Sequence, residues 1–247
     1  MKNLTLIGNW KLNGSKSSIQ AFSNEWHGCD HPALTVAIAP PAPYLGYFAK
    51  TVASCLLAAQ DCSAHDEGAH TGEISAAMLA DWGCRYVLVG HSECREAHAE
   101  SDELIGEKLR QVQAAGLLPV LCVGEDRHAR ESGTAETVVK AQLRGALLAG
   151  QSTALLVAYE PVWAIGTGLT ASPEQANDMH AMIKSELYEV LQSEQDIPVL
   201  YGGSVNPDNA RALFECAHVD GALVGGASLS AESFASIARA GINYLSH

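Results

Sequence analysis

Eight short apolar runs, separated by longer segments of helical periodicity, constrain the fold more than any other feature of this sequence. The starts of consecutive runs lie 22 to 44 residues apart, which is typical of a repeating unit of one strand and one helix. The runs are almost continuously apolar, as expected for parallel strands that are buried on both faces. They cover residues 4–10, 34–39, 56–60, 86–90, 118–123, 155–159, 199–201 and 221–224.

Eight strands that alternate with helices predict a closed (β/α)8 barrel, with parallel strands inside and helices outside. A length of 247 residues suits one such barrel, and no Pro/Gly/Ser-rich linker divides the chain. We therefore expect a single domain over residues 1–247. A doubly wound open sheet is the alternative, but the G-x-G-x-x-G motif that would favour it does not follow the first run.

Capping residues and glycines mark the expected helix boundaries. Ser172 has the pattern of an N-cap, because Pro173 would be the first residue of the helix and Gln175 the third, which completes a capping box. Asn206 before Pro207 repeats the cap-then-proline order. Helices or loops are expected to end at Gly116, Gly133 and Gly150.

The chain is acidic, since 15 Lys and Arg residues against 28 Asp and Glu residues give a net charge of −13. It has no Lys/Arg-rich block, so we expect no nucleic acid partner. We also expect no membrane partner, because no apolar run reaches about 18 residues. The apolar part of residues 1–11 is too short for a signal peptide, which favours a cytoplasmic protein. An anionic ligand would need a local cation and backbone amides to overcome the overall charge.

The cysteines indicate a reducing compartment rather than a disulfide framework. There are seven of them, an odd number, and no C-x-x-C pair occurs, so we expect reduced and mostly buried thiols. Two groupings of His and Cys, at residues 27–31 and 62–70, lack the paired spacing of a structural zinc site. We therefore predict no metal at either.

Polar residues follow several predicted strands, at the end where barrel enzymes carry their catalytic groups. Glu160 ends an apolar run, and loss of water makes a carboxylate a more effective base; a structural ion pair is the alternative. His91 precedes a predicted helical turn, whose partial positive charge favours a neutral ring; a buried structural histidine is the alternative. Asn9 and Lys11 would share a face of the first strand. Lys11 suits a phosphate or a developing oxyanion, and a solvated surface lysine is the alternative.

Glycines follow the last two runs, where this fold usually binds phosphate. Gly202 and Gly203, before Ser204, follow the seventh run, and Gly225 and Gly226 follow the eighth. Each pair precedes a predicted helical segment. Glycine lets backbone N–H groups approach a phosphate closely, and a helix N-terminus adds its dipole. Residues 161–171, which include Gly166, join Glu160 to a capped helix and suit a hinged lid. An ordinary strand–helix loop is the alternative.

Five segments resemble, in order and at matching spacing, the motifs of the triosephosphate isomerase family. Residues 8–11 resemble its first-strand motif, residues 89–93 its electrophile motif, and residues 158–168 its base and lid. Residues 201–205 and 224–229 resemble its two phosphate loops. The resemblance runs the length of the chain, and the base-and-lid segment is the most specific of the five.

The resemblance implies a (β/α)8 TIM barrel that interconverts dihydroxyacetone phosphate and D-glyceraldehyde 3-phosphate in glycolysis and gluconeogenesis, without metal or cofactor. Glu160 would transfer a proton between adjacent carbons, and neutral His91 would polarise the carbonyl and shuttle protons between the enediol(ate) oxygens. Lys11 would stabilise negative charge, with Asn9 helping to position it. Tyr201 and Ser204 would latch the closed lid. The phosphate would be bound by Asn9, Lys11, Gly166, Ser204, Gly225 and Gly226.

The resemblance also implies a homodimer, because the loop from Gly68 to Glu73 is similar to the one that enters the partner subunit. Thr71 in that loop would approach the partner's active site, and Glu93 would lie near Lys11 and the interface. The sequence departs from the family at positions that bear on the dimer and the lid. These are His70 for a common Phe or Tyr, Cys94 for Arg, Asp61 for Asn and Leu169 for Lys.

Two other functions are possible for a barrel of this kind. Another phosphate-binding barrel isomerase, acting for example on an aminosugar phosphate, would commonly use an Asp or Cys in its acid–base pair. The joint presence of Lys11, His91 and Glu160 argues against it. A catalytically silent binding protein on the same scaffold would be expected to lack Glu160 or His91, and both are present.

Overall fold

The structure, a computed structural model, describes residues 2–149, 154–165 and 170–246. Within these ranges eight strands form a closed, all-parallel barrel in sequence order, with β8 paired to β1. The predicted (β/α)8 TIM barrel is therefore confirmed. The strands are β1 (Leu4–Asn9), β2 (Leu34–Ala39), β3 (Leu56–Ala59), β4 (Cys84–Val89), β5 (Leu118–Val123), β6 (Leu156–Tyr159), β7 (Val199–Tyr201) and β8 (Gly221–Val224).

Helices connect the strands and pack around the barrel. They are α1 (Lys16–Glu25), α2 (Leu45–Thr51), α3 (Ala76–Asp81), α4 (Ser92–His98), α5 (Asp102–Ala114), α6 (Arg127–Glu131), α7 (Ala135–Ala149), α8 (Pro173–Leu191), α9 (Ala210–Phe214) and α10 (Ala231–Leu245). Short 3-10 helices cover Ala42–Tyr44, Val162–Ala164 and Gly226–Leu229. None of the helices in the described ranges has the length and apolar character needed to cross a bilayer.

The apolar strands bury their side chains on both faces, which explains why the runs do not alternate with polar residues. One buried cluster fills the barrel interior, where small residues such as Ala37 and Ala58 pack with Leu88 and Leu200. A larger cluster lies between the strands and the helices. Burial on both faces makes the barrel a rigid support for the loops at its carboxyl end.

Most predicted boundaries agree with the structure to within two residues. Ser172 caps α8 and forms the predicted capping box with Gln175. The fourth strand begins at Cys84, two residues before the predicted run, and three other strands are shorter by one residue at one end. Gly116 and Gly133 follow helices with φ of +74° and +73°, whereas Gly150 lies outside the described residues.

Two predictions about local structure are wrong. Asn206 does not cap a helix, because its side chain accepts the N–H groups of Asp208 and Asn209 in a turn, and α9 begins one turn later. The thiols are not mostly buried. Three of the seven are buried, and the other four are half-buried on the outside of the barrel: Cys29, Cys55, Cys94 and Cys216.

Candidate active site

A cavity of about 380 Å³ opens at the carboxyl ends of the strands. This volume lies in the range typical of small-molecule sites, which is about 300–1,000 Å³. Gly166 and Leu169 fall outside the described residues. The other residues predicted for catalysis and phosphate binding all line this cavity, namely Asn9, Lys11, His91, Glu160, Ser204, Gly225 and Gly226.

Glu160 follows β6 directly and is held by three contacts. Its backbone N–H donates to the carbonyl of Val123 at 2.7 Å, which continues the β5–β6 pairing past the strand ends. Its Oε2 accepts the backbone N–H of Ser92 at 2.9 Å, and its Oε1 lies 2.9 Å from Nε2 of His91. The side chain is almost completely buried, so these contacts replace water around the carboxylate.

His91 is the N-cap of α4, as its position before a helical turn indicated. Its Nδ1 accepts the backbone N–H of Glu93 at 3.2 Å, so that nitrogen carries no proton and Nε2 faces Glu160 with the ring proton. Burial lowers the pKa of His91, but the Glu160 carboxylate raises it, and the net shift is upward.

Lys11 reaches the cavity by a route that the sequence argument did not predict. It does not share a face of β1 with Asn9, because the strand ends at Asn9 and Lys11 has a left-handed φ of +52°. The Asn9 Oδ1 accepts the Lys11 N–H at 2.9 Å and holds this turn. The Lys11 Nζ lies 2.6 Å from Oε1 of Glu93, so Glu93 lies near Lys11, as the resemblance implied, and this contact holds the cation in place.

The two glycine pairs differ in why glycine is needed. A Cβ on Gly203 would lie 2.3 Å from the Tyr201 hydroxyl, and a Cβ on Gly202 would lie 2.9 Å from Cγ of Glu160. The first pair is therefore required by packing. Gly225 and Gly226 have free space around them and open onto the cavity, as backbone donors to an anion would.

The helices after the glycine pairs are only partly as predicted. A 3-10 helix starts at Gly226, directly after the second pair. After the first pair no helix begins until Ala210, so the predicted adjacent helical segment is wrong there.

Glu125 holds the start of the predicted lid and was missed by the sequence analysis. It is completely buried, and its Oε1 accepts from the Tyr159 hydroxyl at 3.0 Å and from Nε1 of Trp163 at 2.9 Å. Its carbonyl accepts the N–H of Val162 at 3.0 Å. The rule that selected Glu160, a carboxylate just past a strand end, also applies to Glu125 after β5.

At the other end of that segment Tyr201 faces the backbone of Ala171. Burial raises the pKa of the Tyr201 hydroxyl to about 12, and the nearby backbone of Ala171 opposes the shift. The tip of the predicted lid, residues 166–169, lies outside the described residues.

The departures from the family pattern that fall on described residues, Asp61, Cys94 and His70, lie in two local clusters. Asp61 binds Nζ of Lys108 at 2.7 Å, and the buried Glu100 binds the same ammonium at 2.5 Å. Cys94 lies beside this cluster, and burial raises the pKa of its thiol to about 12. Among the described residues, Asp61, Cys94 and Glu100 are the one group of three or more potential metal ligands whose ligand atoms lie within 4.8 Å of one another. The Lys108 ammonium already binds both carboxylates of this group.

The second cluster lies in the loop that resembles the dimer contact. The ring of His70 stacks on the ring of His65, with centroids 3.7 Å apart and an interplanar angle of 11°. Glu73 at the end of the loop accepts a hydrogen bond from Ser63, which fixes the base of the loop to the segment that follows β3.

A closed parallel barrel, with a cavity lined by Lys11, His91 and Glu160 at the carboxyl ends of its strands, defines a (β/α)8-barrel enzyme. The family model for triosephosphate isomerase matches residues 4–241. Proteins named triosephosphate isomerase from Alkalilimnicola ehrlichii and Xanthomonas campestris pv. campestris are each 48% identical to this chain over 244 and 251 residues. These matches cover 96% and 97% of this chain and 98% of each relative. A protein named triosephosphate isomerase from Bordetella pertussis is also 48% identical to this chain, over 240 residues. That match covers 95% of this chain and 96% of the relative. The chain belongs to the triosephosphate isomerase family.

Proposed function

We propose that this chain interconverts dihydroxyacetone phosphate and D-glyceraldehyde 3-phosphate, a step of glycolysis and gluconeogenesis. The observation that supports it most is the 2.9 Å contact between Glu160 and His91, in a cavity that Lys11 also lines. A carboxylate base, an imidazole donor and a cation are the groups that proton transfer next to a carbonyl requires.

In the proposed reaction Glu160 removes a proton from the carbon next to the carbonyl and returns it to the neighbouring carbon. A bound substrate takes the place of the direct Glu160–His91 contact. Nε2–H of His91 donates to the substrate oxygens in turn, because the Glu93 amide occupies Nδ1. Lys11 stabilises the negative charge that develops on the enediolate, with Glu93 and Asn9 fixing its position.

The phosphate binds at the loops after β7 and β8. Gly225 and Gly226 supply backbone N–H groups, and Ser204, Asn9 and Lys11 line the same cavity. Gly166 completes the site when the loop closes. Closure of the loop excludes water from the site. It also holds the phosphate group in an orientation in which the enediolate intermediate does not expel it. Lys11 and the amides overcome locally the repulsion from the net charge of −13.

We also propose that residues 1–247 form one domain and that two copies form a homodimer through the loop 68–73. In this dimer Thr71 approaches the partner's active site. A cytoplasmic location fits the odd number of cysteines and the lack of C-x-x-C pairs.

An enzyme-coupled assay tests the proposed function. Purified protein is given dihydroxyacetone phosphate, and formation of glyceraldehyde 3-phosphate is followed through NADH produced by its dehydrogenase. Dihydroxyacetone without phosphate is the control substrate, and its conversion to glyceraldehyde, followed by NMR, should be far slower because the phosphate contacts are lost. No turnover of the triose phosphate, or faster turnover of an aminosugar phosphate, would contradict the proposal.

A further inference from the structure

Gln142, on α7, holds both backbone polar groups of Gly124 from outside the barrel. Its Oε1 accepts the Gly124 N–H at 2.8 Å, and its Nε2 donates to the Gly124 carbonyl at 3.1 Å. Gly124 is the first residue after β5, where the sheet no longer supplies these partners. The side-chain amide of Gln142 therefore determines how this peptide is oriented, since one planar amide supplies both the acceptor and the donor that Gly124 needs.

Gly124 in turn packs directly on the backbone of Glu160. A Cβ on Gly124 would lie 1.6 Å from the Glu160 carbonyl oxygen, which no side chain permits. Backbone hydrogen bonds flank this contact on both sides, from Glu160 to Val123 at 2.7 Å and from Val162 to Glu125 at 3.0 Å. The position of the Glu160 backbone thus depends on the position of Gly124.

A second cavity, of about 660 Å³, lies on this side of Glu160 and is lined by Gln142, Gly124 and Glu160. The loop after β5 therefore has free space into which it can move once its hydrogen bonds to Gln142 are removed. Gln142 itself does not line the cavity that contains Lys11 and His91.

We propose that Gln142 is a positioning residue for proton transfer: it holds Gly124 against Glu160 and so fixes the backbone from which the carboxylate approaches the substrate. This inference rests on the proposed function, in which Glu160 is the base. The phosphate contacts come from the loops after β7 and β8, which Gln142 does not touch. Loss of the Gln142 amide should therefore lower kcat and leave KM nearly unchanged.

The test compares Gln142→Met with Gln113→Met. Methionine keeps the length of the side chain but removes the donor and acceptor. Gln113, on α5, donates a single bond to Ala154 and lies away from the cavity, so it is a matched control. We expect Gln142→Met to lower kcat at least about tenfold with KM within about twofold, and Gln113→Met to leave both unchanged.

A pH profile separates positioning from general loss of structure. In Gln142→Glu the ionised carboxylate accepts the Gly124 N–H but cannot donate to its carbonyl, whereas the protonated form can do both. The kcat of Gln142→Glu relative to wild type should rise as the pH falls through the carboxyl range. The kcat ratio of Gln142→Met should show no such recovery. Thermal unfolding followed by circular dichroism checks that both variants are folded.

The loss of kcat caused by Gln142→Met must also depend on the presence of the Glu160 carboxylate. In a Glu160→Ala background, Gln142→Met should leave the residual rate unchanged, because no carboxylate remains to be positioned. An unchanged kcat in Gln142→Met, or an equal fold loss with and without Glu160, would overturn the inference. An inactive wild type would instead contradict the proposed function, so the two failures are distinguishable.

Discussion

At the scale of single residues, the candidate site contains a strained cation. Lys11 has φ of +52°, a conformation that costs a residue with a Cβ on the order of 1 kcal/mol. Asn9 holds the Lys11 N–H, and the Gln60 side chain donates to the Lys11 carbonyl at 2.9 Å. These bonds keep the backbone in the one conformation that places Nζ beside Glu93 at the cavity.

Glu160→Asp tests the proposed base at this scale. The shorter side chain moves the carboxylate by about 1 Å while the phosphate contacts stay in place, so we expect turnover to fall about 100-fold. The KM should change by less than about threefold. Steady-state kinetics with dihydroxyacetone phosphate provide both numbers. Weaker binding with unchanged turnover would show that Glu160 is not the base.

At the scale of elements, α8 joins the end of the predicted lid to the barrel. Its capping box fixes where the helix begins, and so where the lid segment ends. On its inner face the completely buried His180 lies against the rings of Tyr159 and Tyr201, with centroids 5.8 Å and 6.3 Å away. Burial lowers the pKa of His180 to about 3, although backbone hydrogen bonds oppose the shift. This helix therefore packs on β6 and β7 with a neutral imidazole.

The buried His180 predicts a pH dependence of stability. Its pKa is about 3 in the folded chain and 6.5 in the unfolded chain, so the unfolded chain binds the additional proton between these values. The contribution of neutral His180 to the free energy of unfolding is fully present above pH 6.5. Below pH 6.5 it falls by about 1.4 kcal/mol per pH unit.

Chemical denaturation from pH 6.5 to 4.5 measures this dependence. His180→Asn, which keeps a neutral polar group, should show a shallower loss of stability than wild type. The control His128→Asn, at an exposed position on α6, should keep the wild-type slope. Equal slopes for wild type and His180→Asn would contradict the assignment.

At the scale of the whole molecule, a chain with a net charge of −13 must join a second copy with the same charge if it forms the proposed dimer. The loop 68–73 that would make the contact lies near Asp66 and Glu67, which add negative charge beside it. The rings of His65 and His70 stack on each other beside these carboxylates.

His70→Glu should weaken the proposed dimer. The new carboxylate would be placed near acidic residues and in an interface, so we expect the dissociation constant to rise at least about tenfold. Sedimentation velocity should show wild type at twice 26.1 kDa and a shift towards monomer in His70→Glu. His128→Glu adds the same charge at an exposed site on α6 and should sediment as wild type. A monomeric wild type, or a His70→Glu dimer of unchanged affinity, would contradict the proposal.

Features that depend on neighbouring residues could be predicted from the sequence alone. The apolar runs, the cap at Ser172 and the polar residues at strand ends follow from local periodicity and local hydrogen bonding, and they located β1 to β8, Glu160 and His91. Contacts between distant segments were decided only by the tertiary structure. Gln142 meets Gly124 across 18 residues and Lys11 meets Glu93 across 82, and each contact depends on how the barrel brings separate loops together. No local pattern contains that information, because the free energy of such contacts arises only when the packed strands hold both partners in place.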